Sequence, residues 1–519
     1  MTEARDRGSV GRRVARAAGL VMALFLLSRV TGLVRQMIVG AYFGTGADYD
    51  AYVAAFRIPD MLFQLVAGGA LVSALLPTYT TVRTQEGEER GWMLASNVAT
   101  LVVLTLTVTA ALVALLAPYL VRHILVPDFP PAQQALTTRL LRVLLLSTVI
   151  FGASGLSMSI LNAHQHFFLP ALAPVLYNLG IIVGAVFLGR VWGVYGLAWG
   201  VVLGAAWHFS IQVPGLYRVG WRFRPHISLS DPAVRQVLRL MGPRVLGLAA
   251  VQVNFLVNTV LASGLSPGRL SALDYAFRVM LLPLGIFAQS VATAAFPTFA
   301  QQVADGDQEG MRRTVSALLR NILFLTLPAT VALYTLAQPL IAVLFQRRAF
   351  DITSTQLTAV ALQAYALGLC GHAVVEILAR AFYALHDTRT PVLIGITAMA
   401  LNILLNLWWI HPLGHTGLAL ANSVATLIEG GWLLVMLHRR LGGVLTRELG
   451  NSLLKQVGAA LLAGWSILSL VHLIRGAPAW LVLGLGSLLG MGTYLAVALL
   501  LNSPELVEVG RLLRTRVSR

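Results

Sequence analysis

Four arginines occupy places where a chain least tolerates them. Residues 28–40 read SRVTGLVRQMIVG, with LVMALFLL before and AYFG after, and they carry Arg29 and Arg35 inside an otherwise apolar run. Arg57 stands in AFRIPD and Arg278 in AFRVML, each again within apolar sequence. An arginine at the centre of a bilayer costs about 2.5–3.5 kcal/mol on insertion scales, so such residues face water or a partner. The guanidinium is a planar fork of donors that suits phosphate. An excess of arginine over nearby acid therefore points to an anion site. Asp50, Arg57 and Gln64 are seven apart, which predicts one helix face. Gln289 follows Arg278 at eleven residues, on the same face again. The competing reading is structural ion pairing of the arginines with Asp50 or Asp274. Glu376 and Arg380, spaced i, i+4 with the acid first, read more simply as a structural pair.

The elements that must hold these residues are membrane helices. Of 519 residues, 57% are hydrophobic and 11% charged, against about a quarter charged in a soluble domain. Mean hydropathy is +0.76. Roughly fourteen apolar runs recur, each long enough to cross a bilayer. The N-terminal run could pass for a signal peptide, but Arg29 interrupts it and no small-residue cleavage site follows, so it reads as a retained first helix. Cys370 is the one cysteine, which excludes an internal disulfide.

The net charge of +17 invites a nucleic-acid reading, which its distribution opposes. Basic residues gather in alternate loops: Arg5, Arg7, Arg12, Arg13 and Arg16; Arg218, Arg222, Arg224, Arg235 and Arg239; Arg312 and Arg313; Arg439 and Arg440; Arg511, Arg514, Arg516 and Arg519. That is the positive-inside pattern, and it places both termini in the cytoplasm.

The chain also repeats. AFR at 55–57 returns at 276–278, an offset of 221 (278 − 57). GLA at 196–198 returns at 417–419, and Pro170 returns as Pro391, at the same offset. The period spans six helices, so both copies share one orientation and a parallel pseudo-twofold is expected. The expected fold is all-α and polytopic: two six-helix lobes enclosing a central cavity, at 1–226 and 227–440, followed by two further helices and a basic tail at 441–519.

Enzyme motifs are missing. A Walker A loop needs a lysine, and the one lysine, Lys455, has no glycine-rich loop before it. GLGSLLG at 484–490 lies inside an apolar span with the wrong spacing for a dinucleotide loop; Gly486 and Gly490 more plausibly let two helices approach. His164 and His166 could ligate a metal but lack a partner cluster.

Four stretches resemble the MurJ (MviN) lipid II flippases of the multidrug/oligosaccharidyl-lipid/polysaccharide exporter superfamily. They are SRVTGLVRQMIVGAYFGTGADYDAYVAAFRIPD (28–60), YAFRVMLLPLGIFAQSVATAAFPTFA (275–300), LFQRRAFD (344–351) and VEILARAFYALHDTRTPV (375–392). The resemblance implies a transporter, not an enzyme, that moves the lipid-linked peptidoglycan precursor from the cytoplasmic to the outer leaflet of the bacterial inner membrane by alternating access, as a monomer and with no nucleic-acid partner. It implies that Arg29 and Arg35 meet the diphosphate headgroup, and the residue pattern adds Asp50, Arg57, Gln64 and Arg278 to the substrate-binding cavity. The sequence departs from the family pattern in RIPDMLFQLVAGGA: Phe63 and Gln64 stand where the family has two arginines, and Gly68 where it has a glutamate. Gln346 and Arg348 depart from LFERGAFD.

The resemblance further implies a sodium site on spans seven and eleven, matched here by Asn258, Asn402 and Asn406. Asparagine brings no negative charge to a cation, so weak or absent sodium coupling and drive by the membrane potential are expected, with no other cofactor. These asparagines could equally bond between helices. Alternatives are a flippase for another undecaprenyl-diphosphate-linked glycan, a drug exporter, a membrane glycosyltransferase or ligase, and a cell-division scaffold. Arginine excess opposes a cationic-drug exporter, and short outer loops oppose the enzyme.

Overall fold

The computed structural model describes the backbone of residues 2–67 and 69–506; the side chains of residues 1–18, 20, 66–70, 72–73, 243–244, 246–247, 250–251 and 507–519 lie outside the described set. Gly68 and the side chains of the N-terminal arginines 5–16 and C-terminal arginines 511–519 therefore lie outside it. Every described element is helical. Eleven described helices are long and apolar enough to cross a membrane, or twelve if a pair bent by 45° is one span. The spans expected at 50–81 and 240–264 overlap helices at 47–86, interrupted at the undescribed Gly68, and at 232–263, and that count includes neither.

The first compact unit is Met1–Pro267 together with Arg347–Phe350. Its helices are α1 (Thr2–Phe43), α2 (Ala47–Leu62), α3 (Gly69–Glu86), α4 (Glu88–Leu120), α5 (Pro131–Ala163), α6 (Phe168–Val183), α7 (Gly189–Trp192), α8 (Val194–Ser210), α9 (Val213–Arg218) and α10 (Pro232–Ser263). Leu75, Tyr79, Leu94, Leu106, Leu156 and Val237 form a buried core among α3, α4, α5 and α10. Thus α10, expected with the second lobe at 227–440, packs here within the first unit. The short stretch Arg347–Phe350 also belongs to this unit: Ala349 N donates to Ala41 O at 3.1 Å, and Arg348 stacks 4.8 Å from the centre of the Tyr42 ring.

α6 and α8 meet backbone to backbone. A Cβ built on Gly180 would stand 2.3 Å from Gly204 Cα, and one on Gly184 2.3 Å from Gly200 Cα. Glycines four apart on both helices make that approach possible, the small-xxx-small pattern of membrane helix pairs.

The second unit is Gly268–Gln346 with Asp351–Arg519. It contains α11 (Arg269–Pro283), α12 (Ser290–Ala304), α13 (Gln308–Thr335), α14 (Ala337–Phe345), α15 (Ile352–Ala366), α16 (Leu369–Ala384), α17 (Arg389–Leu413), α18 (His415–Leu441), α19 (Arg447–Leu473) and α20 (Ala479–Leu500). The added pair α19–α20 packs on α13, where Tyr494 donates to Phe324 O at 2.9 Å. Gly486 and Gly490 do face close neighbours: their Cβ positions lie 2.8 Å from Leu336 and 2.5 Å from Ile467.

Local geometry repeats at the 221-residue offset. Gly193 and Gly414 precede α8 and α18 with φ/ψ of 54/−135° and 57/−136°, a region that favours glycine. Gln165 and His386 share a left-handed φ of 59° and 58°. A π-turn begins at Phe63 in one copy and at Leu284 in the other.

Asp231 anchors the start of α10. Its carboxylate accepts from Ala233 N at 2.9 Å and takes both arms of Arg90 at 2.8 Å. The Arg90 guanidinium holds this carboxyl below its usual range. A depressed folded-state value means the stabilisation is complete above the ordinary carboxylate pKa and is lost as pH falls through the folded value. Asp231→Asn should therefore expose residues 221–231 to protease at pH 7, whereas the wild type should show that exposure only below about pH 4. Limited proteolysis across pH checks this; equal cleavage of both proteins at pH 7 would refute it.

Candidate anion site

The first unit carries most of the expected site. α1 packs on α6, where Asn178 Nδ2 donates to Ser28 O and to Thr31 Oγ1, both at 3.3 Å. This fixes the rotation of α1 about its axis. Arg29 is exposed and makes no side-chain hydrogen bond or ion pair among the described residues. Arg35 is half-buried, with NH2 3.5 Å from Gln36 Oε1. The two arginines thus differ in surroundings, as their six-residue spacing on an α-helix requires.

Arg57 is held in place. Its Nε donates to Thr259 Oγ1 at 3.1 Å, and its guanidinium carbon lies 5.5 Å from the centre of the Phe255 ring, within cation–π range. Phe255 and Thr259 are i, i+4 on α10, so one face of that helix supplies both contacts. Sequence reasoning did not find Thr259 or Phe255, which lie about 200 residues from Arg57 with no local signal.

Asp50 and Arg57 lie seven apart on α2 (Ala47–Leu62), Asp50 2% exposed and Arg57 half-buried, as is Gln64. Gln64 also falls in the π-turn Phe63–Ala67, which breaks the α-helical register that the spacing of seven assumed. Phe63 packs on Phe151 with ring centres 5.0 Å apart, against the apolar core of this unit.

In the second unit Arg278 is bound by Asp274, with Nε–Oδ2 at 2.7 Å and NH2–Oδ1 at 3.2 Å. This is the structural pairing weighed above, although the Arg278 side chain stays 44% exposed. Glu376 and Arg380 also pair, with Arg380 additionally donating to Glu376 O at 2.9 Å. Asn402 and Asn406 are buried, and Asn406 Nδ2 donates to Asn402 Oδ1 at 3.0 Å. That bond lies within α17. Asn258 is half-buried on α10 of the first unit. His164 stacks flat on Trp92, ring centres 5.1 Å apart and planes within 2°. Among the described residues no cluster of three or more His, Cys, Asp or Glu side chains could hold a metal ion.

The family model described as Lipid II flippase MurJ matches residues 39–485. The chain belongs to the MurJ family. The lipid II flippase MurJ of Burkholderia cenocepacia is 33% identical over 460 residues, covering 86% of this chain and 89% of that protein. The probable lipid II flippase MurJ of Vibrio cholerae is 32% identical, covering 95% and 97%. Among solved structures, a lipid II flippase MurJ in an inward closed conformation superposes with a TM-score of 0.78 at 26% identity, covering 92% of this chain and 98% of that one. A multidrug resistance MATE family transporter in an inward-facing conformation shares the fold, with a TM-score of 0.68 at 15% identity.

Proposed function

We propose that this chain is a lipid II flippase. It carries undecaprenyl-diphosphate-linked disaccharide peptide from the cytoplasmic to the outer leaflet by alternating access, as a multi-pass protein of the bacterial inner membrane. Its membership of the MurJ family, with the match running over residues 39–485, carries the conclusion. Its chemistry fits: arginines persist in apolar spans, and Arg29 is exposed without a partner among the described residues. On the first unit, Arg29, Arg35 and Arg57 receive the diphosphate, with Asp50 and Gln64 beside them. On the second, Arg278 is an anion-binding group that Asp274 partly neutralises. No ATP is hydrolysed, both termini are cytoplasmic, and the chain works as a monomer without nucleic acid. The 221-residue repeat supports lobes at 1–226 and 227–440 with an added segment at 441–519, a division of the sequence rather than of the compact units. The decisive test is rescue of a strain depleted of its lipid II flippase; failure at normal membrane levels would sink the reading.

A drug exporter, which the MATE-like fold would allow, is disfavoured by the same arginines. A cation needs carboxylates.

Transport should follow the membrane potential rather than sodium. The asparagine pair on α17 carries no charge, whereas the potential acts on any net charge that moves, at about 2.3 kcal/mol per charge per 100 mV. In proteoliposomes, replacing sodium with choline should leave the rate within about twofold, while collapsing a potassium–valinomycin potential should lower it several-fold. Strict sodium dependence at fixed potential would overturn this.

A further inference from the structure

The segment joining α9 to α10 is pinned along the start of α4 yet leaves a cavity beneath it. Residues 221–228 run without regular structure. Asn97 Nδ2 donates to Ser228 O at 3.1 Å and Asn97 Oδ1 accepts from Ser228 N at 3.2 Å, as a neighbouring strand would. Ser96 Oγ accepts from Arg224 N at 3.2 Å. A cavity of about 660 Å³ lies between this segment and α4, a size typical of small-molecule sites.

Its charged walls are of opposite sign. Arg222 and Arg224 line it from the segment, Glu88 and Glu89 from the first turn of α4. All four are exposed. No ion pair within 4 Å joins the arginines to the glutamates among the described residues; the pairing recorded for Glu88 is with His164, at 4.0 Å. Opposite charges have been brought to one cavity and held apart. A ligand that bridges them needs an anion at one end and a cation at the other.

The surroundings say which kind. Tyr217, Phe223, Ile227 and Leu229 are 76%, 50%, 52% and 57% exposed, an apolar fringe beside the cavity that water would not favour. Glu88 is also the first residue of a membrane span. Basic residues interleaved with exposed apolar ones at a span boundary mark a segment lying in the lipid headgroup layer.

We propose that this cavity binds the headgroup of a phospholipid carrying both a phosphodiester and a primary ammonium, as ethanolamine phospholipids do. The phosphate lies on Arg222 and Arg224, the ammonium on Glu88 and Glu89, and the acyl chains run over Phe223, Ile227 and Leu229. A purely anionic lipid would meet the two glutamates uncompensated. A choline lipid would lack the N–H donors that the carboxylates accept.

The test is lipid binding to the delipidated full-length protein, measured by native mass spectrometry and by the shift in thermal midpoint. The probes are phosphatidylethanolamine, phosphatidylglycerol and phosphatidylcholine of matched short chains, with glycerophosphoethanolamine as the chain-free control. Wild type should prefer phosphatidylethanolamine by about tenfold, the worth of a charge-assisted hydrogen bond. E88Q/E89Q should lose the preference while keeping phosphatidylglycerol binding. R222Q/R224Q should weaken every phospholipid. The chain-free headgroup should bind far less tightly. Equal affinity for the three lipids in wild type, a preference that survives E88Q/E89Q, or full affinity of the chain-free headgroup would each overturn the proposal. Since the four residues are exposed, the lipid-free thermal midpoints of the variants should match wild type; a fall common to both would assign the residues to structure and overturn it as well.

Discussion

Arg29→Ala and Arg57→Ala should each abolish rescue of a flippase-depleted strain while protein levels in the membrane stay normal. Both side chains sit in apolar helices, where an arginine is retained only against a cost of several kcal/mol. Arg29 is exposed, and Arg57 is oriented in part by the Thr259 hydroxyl and the Phe255 ring. Hydrogen bonds to a charged group are worth about 1.5–3 kcal/mol, so losing one such set should weaken headgroup binding roughly 10- to 150-fold. Arg57→Lys keeps the charge and loses the fork; it should rescue poorly if bidentate phosphate contact matters. Thr259→Val removes the hydroxyl that aims Arg57 and should give an intermediate defect. Complementation with immunoblotted membranes measures all four. Normal growth of both alanine variants would remove the anion-site assignment.

The second large effect should come from a single methyl group or a few more. Gly184→Val or Gly200→Leu should prevent accumulation of folded protein. The added atoms meet backbone at 2.3–2.7 Å, not a side chain that can swing aside, so the only relief is to part α6 from α8. Overpacking ordinarily costs about 1–3 kcal/mol, and here the helices themselves must move, which places these variants at the severe end of point mutations. Gly458→Leu and Gly492→Leu are the controls, because nothing lies within 4 Å of either Cβ position. Fluorescent-fusion size exclusion separates the outcomes. A monodisperse Gly200→Leu protein at wild-type level would show that the α6–α8 contact is dispensable.

How far these features could be read from the sequence depends on whether their cause is local. The spans announce themselves through apolar length, and the repeat through identities at one offset. The Arg278–Asp274 pair is an i, i+4 contact and was in view as one of two readings. The glycines of α6 and α8 carry their spacing of four openly, although the spacing does not name the partner helix. What was not legible is long-range. Val234 and Val237 are ordinary apolar residues, and nothing in them says that α10 packs with the first unit rather than the second. Thr259 and Phe255 say nothing alone of Arg57. The π-segment that begins one residue before Gln64 has no signal in the spacing of seven, which presumes an unbroken α-helix.

The backbone turns at Gly193 and Gly414, and at Gln165 and His386, agree to within a few degrees, while most side chains between them have changed. The path repeats where the residues do not. A half-length ancestor would have had one version of each position, so every mismatch between the halves is acquired. Arg278 has Asp274 four residues before it; Arg57 has Val53 at the corresponding place. The second half thus holds its arginine from one turn away on the same helix, whereas the first half has a valine there and reaches its arginine from α10, through Thr259 and Phe255. A change in α10 should therefore re-aim Arg57, while no such distant element is needed to hold Arg278 on Asp274.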